Sequence, residues 1–366
     1  MVGKRKLKVA LLWHMHQPYY FNPESEKFQM PWVRFHGLKD YLDMLLAATR
    51  QKDTKVTFNL VPSLLDQIEL YCDGYTDTFQ DLSLIPARDL SFENKREIIN
   101  SFFSAYYPHM IKPYPRYRQL YQKRENCKGD VNLAIKTFSS TEWRDLQVWS
   151  NLVWIDPAFC HEEPVAELLA KGKDFTEEEK NGLLDFQISL LKKIIPEYQK
   201  LYKSGKIEIS FSPYYHPILP LLIDTDIARE AISDLALPNN RFSQPIDAEW
   251  QITESIKKFQ KLFDKKPDGF WPSEGSISED TLKLFSQNGI KWVATDQEIL
   301  NYSLIKSGMV PKDNSPHTTY VYNKALQTSI FFRDQGLSDK VGFVYSSWDH
   351  VRAVDDFMSN LKELGG

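Results

Sequence analysis

The chain is expected to be α/β, with about six parallel strands joined by helices and a helical insertion between the second strand and the third. Three observations carry this expectation. Apolar runs with strand-like alternation recur six times along the 366 residues, and helical patterns separate them. Each run also ends in a cluster of polar or aromatic residues. A parallel barrel displays its functional side chains at the carboxyl ends of its strands, and the unusual residues here stand at those ends.

The first run, LKVALLWHMHQPYY, alternates loosely from Leu7 through Val9, Leu11 and Trp13 and stops at Gln17-Pro18. It is read as a first strand rather than a signal peptide, because histidines interrupt it and no small-residue cleavage site follows. The next helix is expected in DYLDMLLAATR and the second strand in KVTFNLVPSLL, where Pro62 marks the change from strand to loop. Residues 75–202 then change character. SFENKREIINSFFSAYY and TEWRDLQVWSNLVW are helical patterns separated by the proline-rich MIKPYPRY. The clearest helix begins at Thr176-Glu177-Glu178-Glu179, a capping box, and carries Leu183, Leu184, Leu191, Ile194, Ile195 and Tyr198 as its apolar stripe until Gly205. This segment is the expected insertion within a single domain over residues 1–366.

Strand signals then resume four times. KIEISFSP (206–213) alternates Ile207, Ile209 and Phe211. PDGFWPSE (267–274) precedes a helix that Ser276 would cap and Asn288-Gly289 would end. KWVATDQEIL follows, and TSIFFRDQGLSDKVGF (328–343) is the last. A final helix is expected in SSWDHVRAVDDFMSNLKELGG.

Composition narrows the function classes. A net charge of −4 with no block of like charge argues against nucleic acid and anionic membranes as partners. No stretch approaches the roughly 18 apolar residues of a membrane span. Cys72, Cys127 and Cys160 are far apart with no CxxC, which excludes a zinc ribbon and fits a reducing, cytoplasmic setting. The aromatic share of 13% is high. Aromatic rings fill large cores, and they also make flat surfaces on which sugar rings stack.

Several residues carry the chemistry. Positions i and i+2 of a strand point the same way, so His14 and His16 share one face at the strand tip. Paired imidazoles there either hydrogen-bond substrate hydroxyls or ligate zinc, and a packed strand end would hold them equally well. His216 lies in a loop stiffened by Pro213, Pro217 and Pro220. An isolated glutamate is usually solvated surface, but Glu274 ends a strand beside Trp271 and precedes a capped helix. The helix dipole would keep it ionised, which suits a nucleophile better than an acid. Asp296 would cap the next helix, and Arg333-Asp334 would form a simple ion pair; the alternative is that all three join a ring of functional side chains. Tyr19, just beyond the histidine pair, is a further candidate for binding substrate.

WHMHQPYY, GKIEISFSPYYHPILP, GFWPSEGS, WVATDQEIL and FFRDQGLSDKVGF resemble glycoside hydrolase family 57, and its amylopullulanase-like and α-amylase-like members in particular. The motifs keep their order over essentially the whole chain. The resemblance implies a (β/α)7 barrel with helical insertions, and retaining hydrolysis or transfer on α-glucans or maltooligosaccharides. It implies Glu274 as nucleophile, with His14, His16, His216, Trp271, Asp296, Arg333 and Asp334 around the sugar. No metal or organic cofactor is implied. The family's general acid is an aspartate in an Asp-Gly-Glu type motif on the seventh strand, and this sequence contains no Asp-Gly-Glu. The expectation is therefore an incomplete barrel of about six strands, with strands one and six facing each other across a gap. The isolated chain would turn over α-glucan poorly, or pair with a separately encoded C-terminal part. Two rival functions are a carbohydrate-binding relic and a zinc amidohydrolase or polysaccharide deacetylase, the latter needing more strand-end histidines than are present.

Overall fold

A computed structural model describes residues 7–322 and 328–365. The basic residues 1–6, and with them the start of the stretch weighed as a signal peptide, lie outside the described residues. The chain forms two compact units. One comprises Met1–His16, Lys55–Pro62 and Ile207–Gly366, and the other Gln17–Thr54 and Ser63–Lys206. The second unit thus takes in all of the expected insertion, residues 75–202, together with most of the chain between the first two expected strands.

Among the described residues nine strands are present: β1 (Leu12–Met15), β2 (Phe21–Asn22), β3 (Lys27–Phe28), β4 (Val56–Leu60), β5 (Ile207–Phe211), β6 (Gly269–Phe270), β7 (Trp292–Asp296), β8 (Tyr320–Val321) and β9 (Ser329–Arg333). Seven of them make one sheet in the first unit, in the order β1-β4-β5-β6-β7-β9-β8. The first six in that order are parallel neighbours. Each of these six lies beside the next of them in sequence, and the order does not reverse among them. That is the winding of a (β/α) barrel rather than of a doubly wound sheet, in which the order switches midway. The α/β expectation with six parallel strands therefore holds.

The strands form where the sequence supplies apolar side chains at every second position, for one face. Val56, Phe58 and Leu60 of β4 are buried, as are Ile207, Ile209 and Phe211 of β5. At β6 the requirement is space: a Cβ on Gly269 would lie 1.9 Å from the Trp292 ring on β7, so glycine is what lets these two strands pair.

Three expectations need correction. The first strand starts at Leu12, not Leu7; Leu7 and Val9 are exposed and have no strand partner. The helix after Glu274 spans Glu279–Gln287 and is capped by Ser278, whose hydroxyl accepts from the Thr281 N–H, rather than by Ser276. And β9 does not stand open beside β1, because β8 pairs with it antiparallel through Tyr320↔Ile330 and Val321↔Ser329. Among the described residues nothing pairs with the free side of β1.

The second unit is helical apart from the β2-β3 hairpin. Its longest helix, Glu177–Lys203, opens with the expected Thr176/Glu179 capping box and buries Leu183, Leu184, Leu191, Ile194 and Tyr198. Beside it Arg34, fully buried, is held by charge-assisted and amide hydrogen bonds. Its Nε and Nη2 donate to Asp77 at 2.8 and 3.2 Å, and its Nη1 donates to Asn151 and Gln187 at 3.1 and 2.8 Å. The Tyr71 hydroxyl adds a 2.9 Å bond to Asp77. Removing one partner would leave an unpaired buried charge, which typically costs about 3–5 kcal/mol.

Candidate active site

Because β1, β4, β5, β6, β7 and β9 run parallel through the sheet, their carboxyl ends share one edge. Side chains from three of those ends, β1, β5 and β6, meet there. The His14 ring centroid is 5.7 Å from that of His16, 5.0 Å from that of His216 and 6.1 Å from that of Trp271. His16 and His216 stack at 4.1 Å. His216 Nδ1 lies 3.8 Å from Glu274 Oε1. His14, His16, His216, Trp271 and Glu274 are thus brought together.

The local backbone explains how. β1 ends at Met15, and the i/i+2 spacing sends both histidines to one side. After β5, the Ser212–His216 stretch turns tightly, with the His216 N–H donating to the Pro213 carbonyl at 2.9 Å. His216 then adopts φ +58°, in the left-handed region, and Glu274 adopts φ +55° in a short turn after β6. Non-glycine residues seldom occupy this region. His216 and Glu274 are two of the six described non-glycine residues that do, and these two are strand-end residues whose side chains approach each other. The carbonyl of Gly275 accepts from the Thr295 hydroxyl, which ties the Glu274 turn to β7.

Asn59 was not singled out in the sequence, yet it organises the group. It is the fourth of the five residues of β4, fully buried and in register with His14 and with Ser210. His14 Nδ1 and Asn59 Oδ1 are joined at 2.6 Å, and Asn59 Nδ2 donates to Ser210 Oγ at 3.1 Å. Ser212 Oγ lies 2.9 Å from Asn59 Oδ1 and 2.8 Å from the Trp271 carbonyl. A buried amide in an apolar parallel strand, with serines at 210 and 212 on the next strand, was the available signal. Asn59 occupies one nitrogen of His14 and leaves Nε2 for a ligand.

The three imidazoles are uncharged at neutral pH. Burial pushes His16 down to about 4, and its neighbour His14 lowers it further. Burial and the two other histidines push His216 down to about 3. His14 is lowered by burial too, against the opposing pull of Asn59 and of the Glu274 charge. The His216–Glu274 approach is therefore a contact between a neutral ring and a carboxylate, not an ion pair. Among the described residues, buried His16 Nδ1 and His216 Nε2 have no hydrogen-bond partner. A buried polar atom without a partner costs free energy, and a bound polar ligand would relieve it.

The remaining candidates are placed differently. Asp296 does cap its helix, its Oδ1 accepting from the Glu298 N–H at 2.9 Å, while its Oδ2 accepts from Arg333 Nε at 2.5 Å. Arg333 also donates to Asp339 at 3.1 Å, so its partners are Asp296 and Asp339 rather than Asp334. Parallel register explains the pairing, since Asp296 and Arg333 are partners across β7 and β9. Asp334 instead caps the helix Gln335–Asp339 and meets His317 Nε2 at 3.2 Å. The Asp296–Arg333 pair adjoins the Glu274 turn through Gly275, whose ideal Cβ position is 3.7 Å from the Asp296 nitrogen and 3.8 Å from the Trp271 ring. Tyr19 belongs to the second unit, where its ring is exposed. Among the described residues, no three His, Cys, Asp or Glu side chains are grouped so as to hold a metal ion.

The model of the family described as "Glycosyl hydrolase family 57" matches residues 10–365. No curated protein matches the chain. Among solved structures, the chain is similar to the α-amylase AmyC from Thermotoga maritima, at 16% identity and a TM-score of 0.47, covering 91% of this chain and 47% of that one. It is similar to a GH57-type branching enzyme from Pyrococcus horikoshii at 15% identity and a TM-score of 0.46, covering 92% and 48%. For the 4-α-glucanotransferase from Thermococcus litoralis the values are 12%, 0.43, 92% and 30%. The chain thus spans less than half the length of these structures. The family match extends from β1 into the last helix and takes in every strand-end residue described above: the chain belongs to glycosyl hydrolase family 57.

Proposed function

We propose that the strand-end group is a site for retaining hydrolysis or transfer on α-glucans, with Glu274 as the nucleophile. The observation that carries this reading is the juxtaposition of one exposed carboxylate with three uncharged imidazoles and a tryptophan. The Glu274 side chain is 69% exposed, whereas that of His216 is 4% exposed. Neutral imidazoles offer both a donor and an acceptor, which matches sugar hydroxyls and gives no preference for anions. Trp271 supplies a flat apolar face for the C–H side of a pyranose ring.

In this reading Glu274 attacks the anomeric carbon as the bond to the leaving oxygen breaks, and a glycosyl ester forms on its carboxylate. Water or a sugar hydroxyl then displaces the ester, giving hydrolysis or transfer. The leaving oxygen needs a proton from a second carboxyl group about 5–5.5 Å from the first. Asp296 and Asp334 are poor candidates for that role. Both oxygens of each already accept hydrogen bonds or meet a cationic or imidazole partner. The acid is assigned to neither.

The zinc amidohydrolase and deacetylase readings gain nothing from the geometry, since the three imidazoles stack on one another instead of converging on a point. The free thiols of Cys72, Cys127 and Cys160 support a reducing, cytoplasmic location.

The proposal is tested by incubating the purified chain with amylose, pullulan and maltooligosaccharides, beside the Glu274→Gln variant. Release or redistribution of glucan that the variant lacks would support it, and the preferred polymer would report the linkage. Equal turnover by both proteins would refute Glu274 as nucleophile.

A further inference from the structure

Tyr215 directly precedes His216 in the turn after β5, and the two side chains differ sharply in exposure. The His216 side chain is buried, whereas Tyr215 is 47% exposed. Trp250, on the helix Pro245–Phe263, is 46% exposed. The Tyr215 and Trp250 rings are within 7° of parallel, with centroids 6.3 Å apart. Tyr214 leans on both, at 5.1 and 5.8 Å. Gln251 holds the arrangement from the helix. Its carbonyl accepts from the Tyr214 N–H at 3.1 Å, and its Oε1 accepts from the Tyr215 N–H at 2.8 Å.

A single exposed aromatic calls for no explanation. Here rings from a turn and a helix are aligned and fixed by backbone hydrogen bonds, so their geometry is set before any ligand arrives. Near-parallel aromatic faces suit the C–H faces of pyranose rings, and the Tyr hydroxyl and Trp N–H provide a polar rim for hydroxyls. One sugar has one such ring to place, and Trp271 takes it at Glu274. A polymer repeats that face at every residue, so a chain seated at Glu274 has further rings to place on surfaces nearby. The covalent link between Tyr215 and His216 makes this platform continuous with that site.

We propose that Tyr215 and Trp250 form a second sugar platform, which holds glucosyl residues of an α-glucan beyond those seated against His216 and Glu274. Its effect is to make long chains bind more tightly than short ones. The proposal rests on the α-glucan reading of the Glu274 site.

The test is binding rather than turnover, so the two claims can fail separately. Dissociation constants for maltotriose and for a long amylose are measured by titration calorimetry on the full chain and on Trp250→Ala, Tyr215→Ala and Trp250→Phe. The full chain should bind the long glucan about tenfold more tightly than maltotriose, on the scale of one or two aromatic contacts. Either alanine variant should bring that ratio close to one, and Trp250→Phe should restore part of it. A ratio unchanged in both alanine variants, no length preference in the full chain, or no binding of either glucan would overturn the proposal. Length-dependent binding that needs Trp250, in a chain whose turnover is indifferent to Glu274→Gln, would keep the platform and discard the nucleophile.

Discussion

His216 and Glu274 face each other across 3.8 Å, and both hold left-handed backbone, with φ of +58° and +55°. Neither residue type favours that region. Each such residue costs on the order of 1 kcal/mol, a cost that persists where the surroundings over-determine the conformation. Two strained residues in contact at one strand-end edge mark a place where geometry is kept at the expense of stability.

The first prediction follows from that strain. Glu274→Gly should raise unfolding free energy by about 1 kcal/mol relative to Glu274→Ala, because glycine tolerates φ of +55° without a Cβ penalty. Denaturant unfolding of the two variants measures it. Equal stabilities would mean that the surroundings do not enforce the left-handed turn.

A second concerns the tie between the Glu274 turn and β7. Thr295 is fully buried, and its hydroxyl donates to the Gly275 carbonyl. Thr295→Val keeps the shape and removes the donor, so it should cost about 1–3 kcal/mol. Any turnover that depends on Glu274 should fall with it. A variant as stable as the wild type would show the bond to be dispensable.

A third prediction is a pH dependence from His16. Its folded value of about 4 lies below the ordinary 6.5. Between those values the unfolded chain binds the extra proton, so this stabilising contribution is complete above about pH 6.5 and is lost as pH falls toward 4. Replacing His16 with Gln should flatten stability against pH in that window by about 1 kcal/mol, allowing for the ring's partial exposure. An unchanged profile would contradict the buried, neutral ring.

Asp43, in the second unit, carries the opposite sign. Burial, with Asp156 nearby, raises its carboxyl to about 7, and its Oδ1 has no partner. The folded state therefore holds the proton more tightly, and its contribution is lost as pH rises from about 4 to 7. Asp43→Asn should remove a loss of about 1 kcal/mol between pH 5 and 8, discounted for partial exposure. Thermal melts of both proteins across that range would show the difference, or show no change if the group titrates normally.

The sequence showed the winding of the sheet, the Thr176 capping box and the residues that meet at Glu274, because all three depend on local pattern. Side-chain alternation marks β4 and β5, and i/i+2 spacing is enough to bring His14 and His16 to one side. Pattern failed where the deciding partner was remote. Val9 alternates as well as Trp13 does, but only residues from Leu12 onward have β4 beside them. Ser276 and Ser278 both precede acidic residues, and the turn that carries Glu274 decides between them. Asn59 reads as an interruption of an apolar strand until register sets it beside His14 and Ser210. Arg333 has a sequence neighbour of opposite charge, yet parallel pairing gives it Asp296.

The central claim is that Glu274 is the nucleophile of an α-glucan site, and an α-maltosyl fluoride tests it most directly. Fluoride leaves without a proton donor, so the first step needs the nucleophile and sugar binding but not the unassigned acid. The C1–F bond breaks, a bond from C1 to the Glu274 carboxylate forms, and fluoride is released. Mass spectrometry of the quenched, digested chain should find the maltosyl group on the peptide containing Glu274, and Glu274→Gln should carry none. Fluoride release with no label on that peptide, or equal labelling of the Gln variant, would contradict the account.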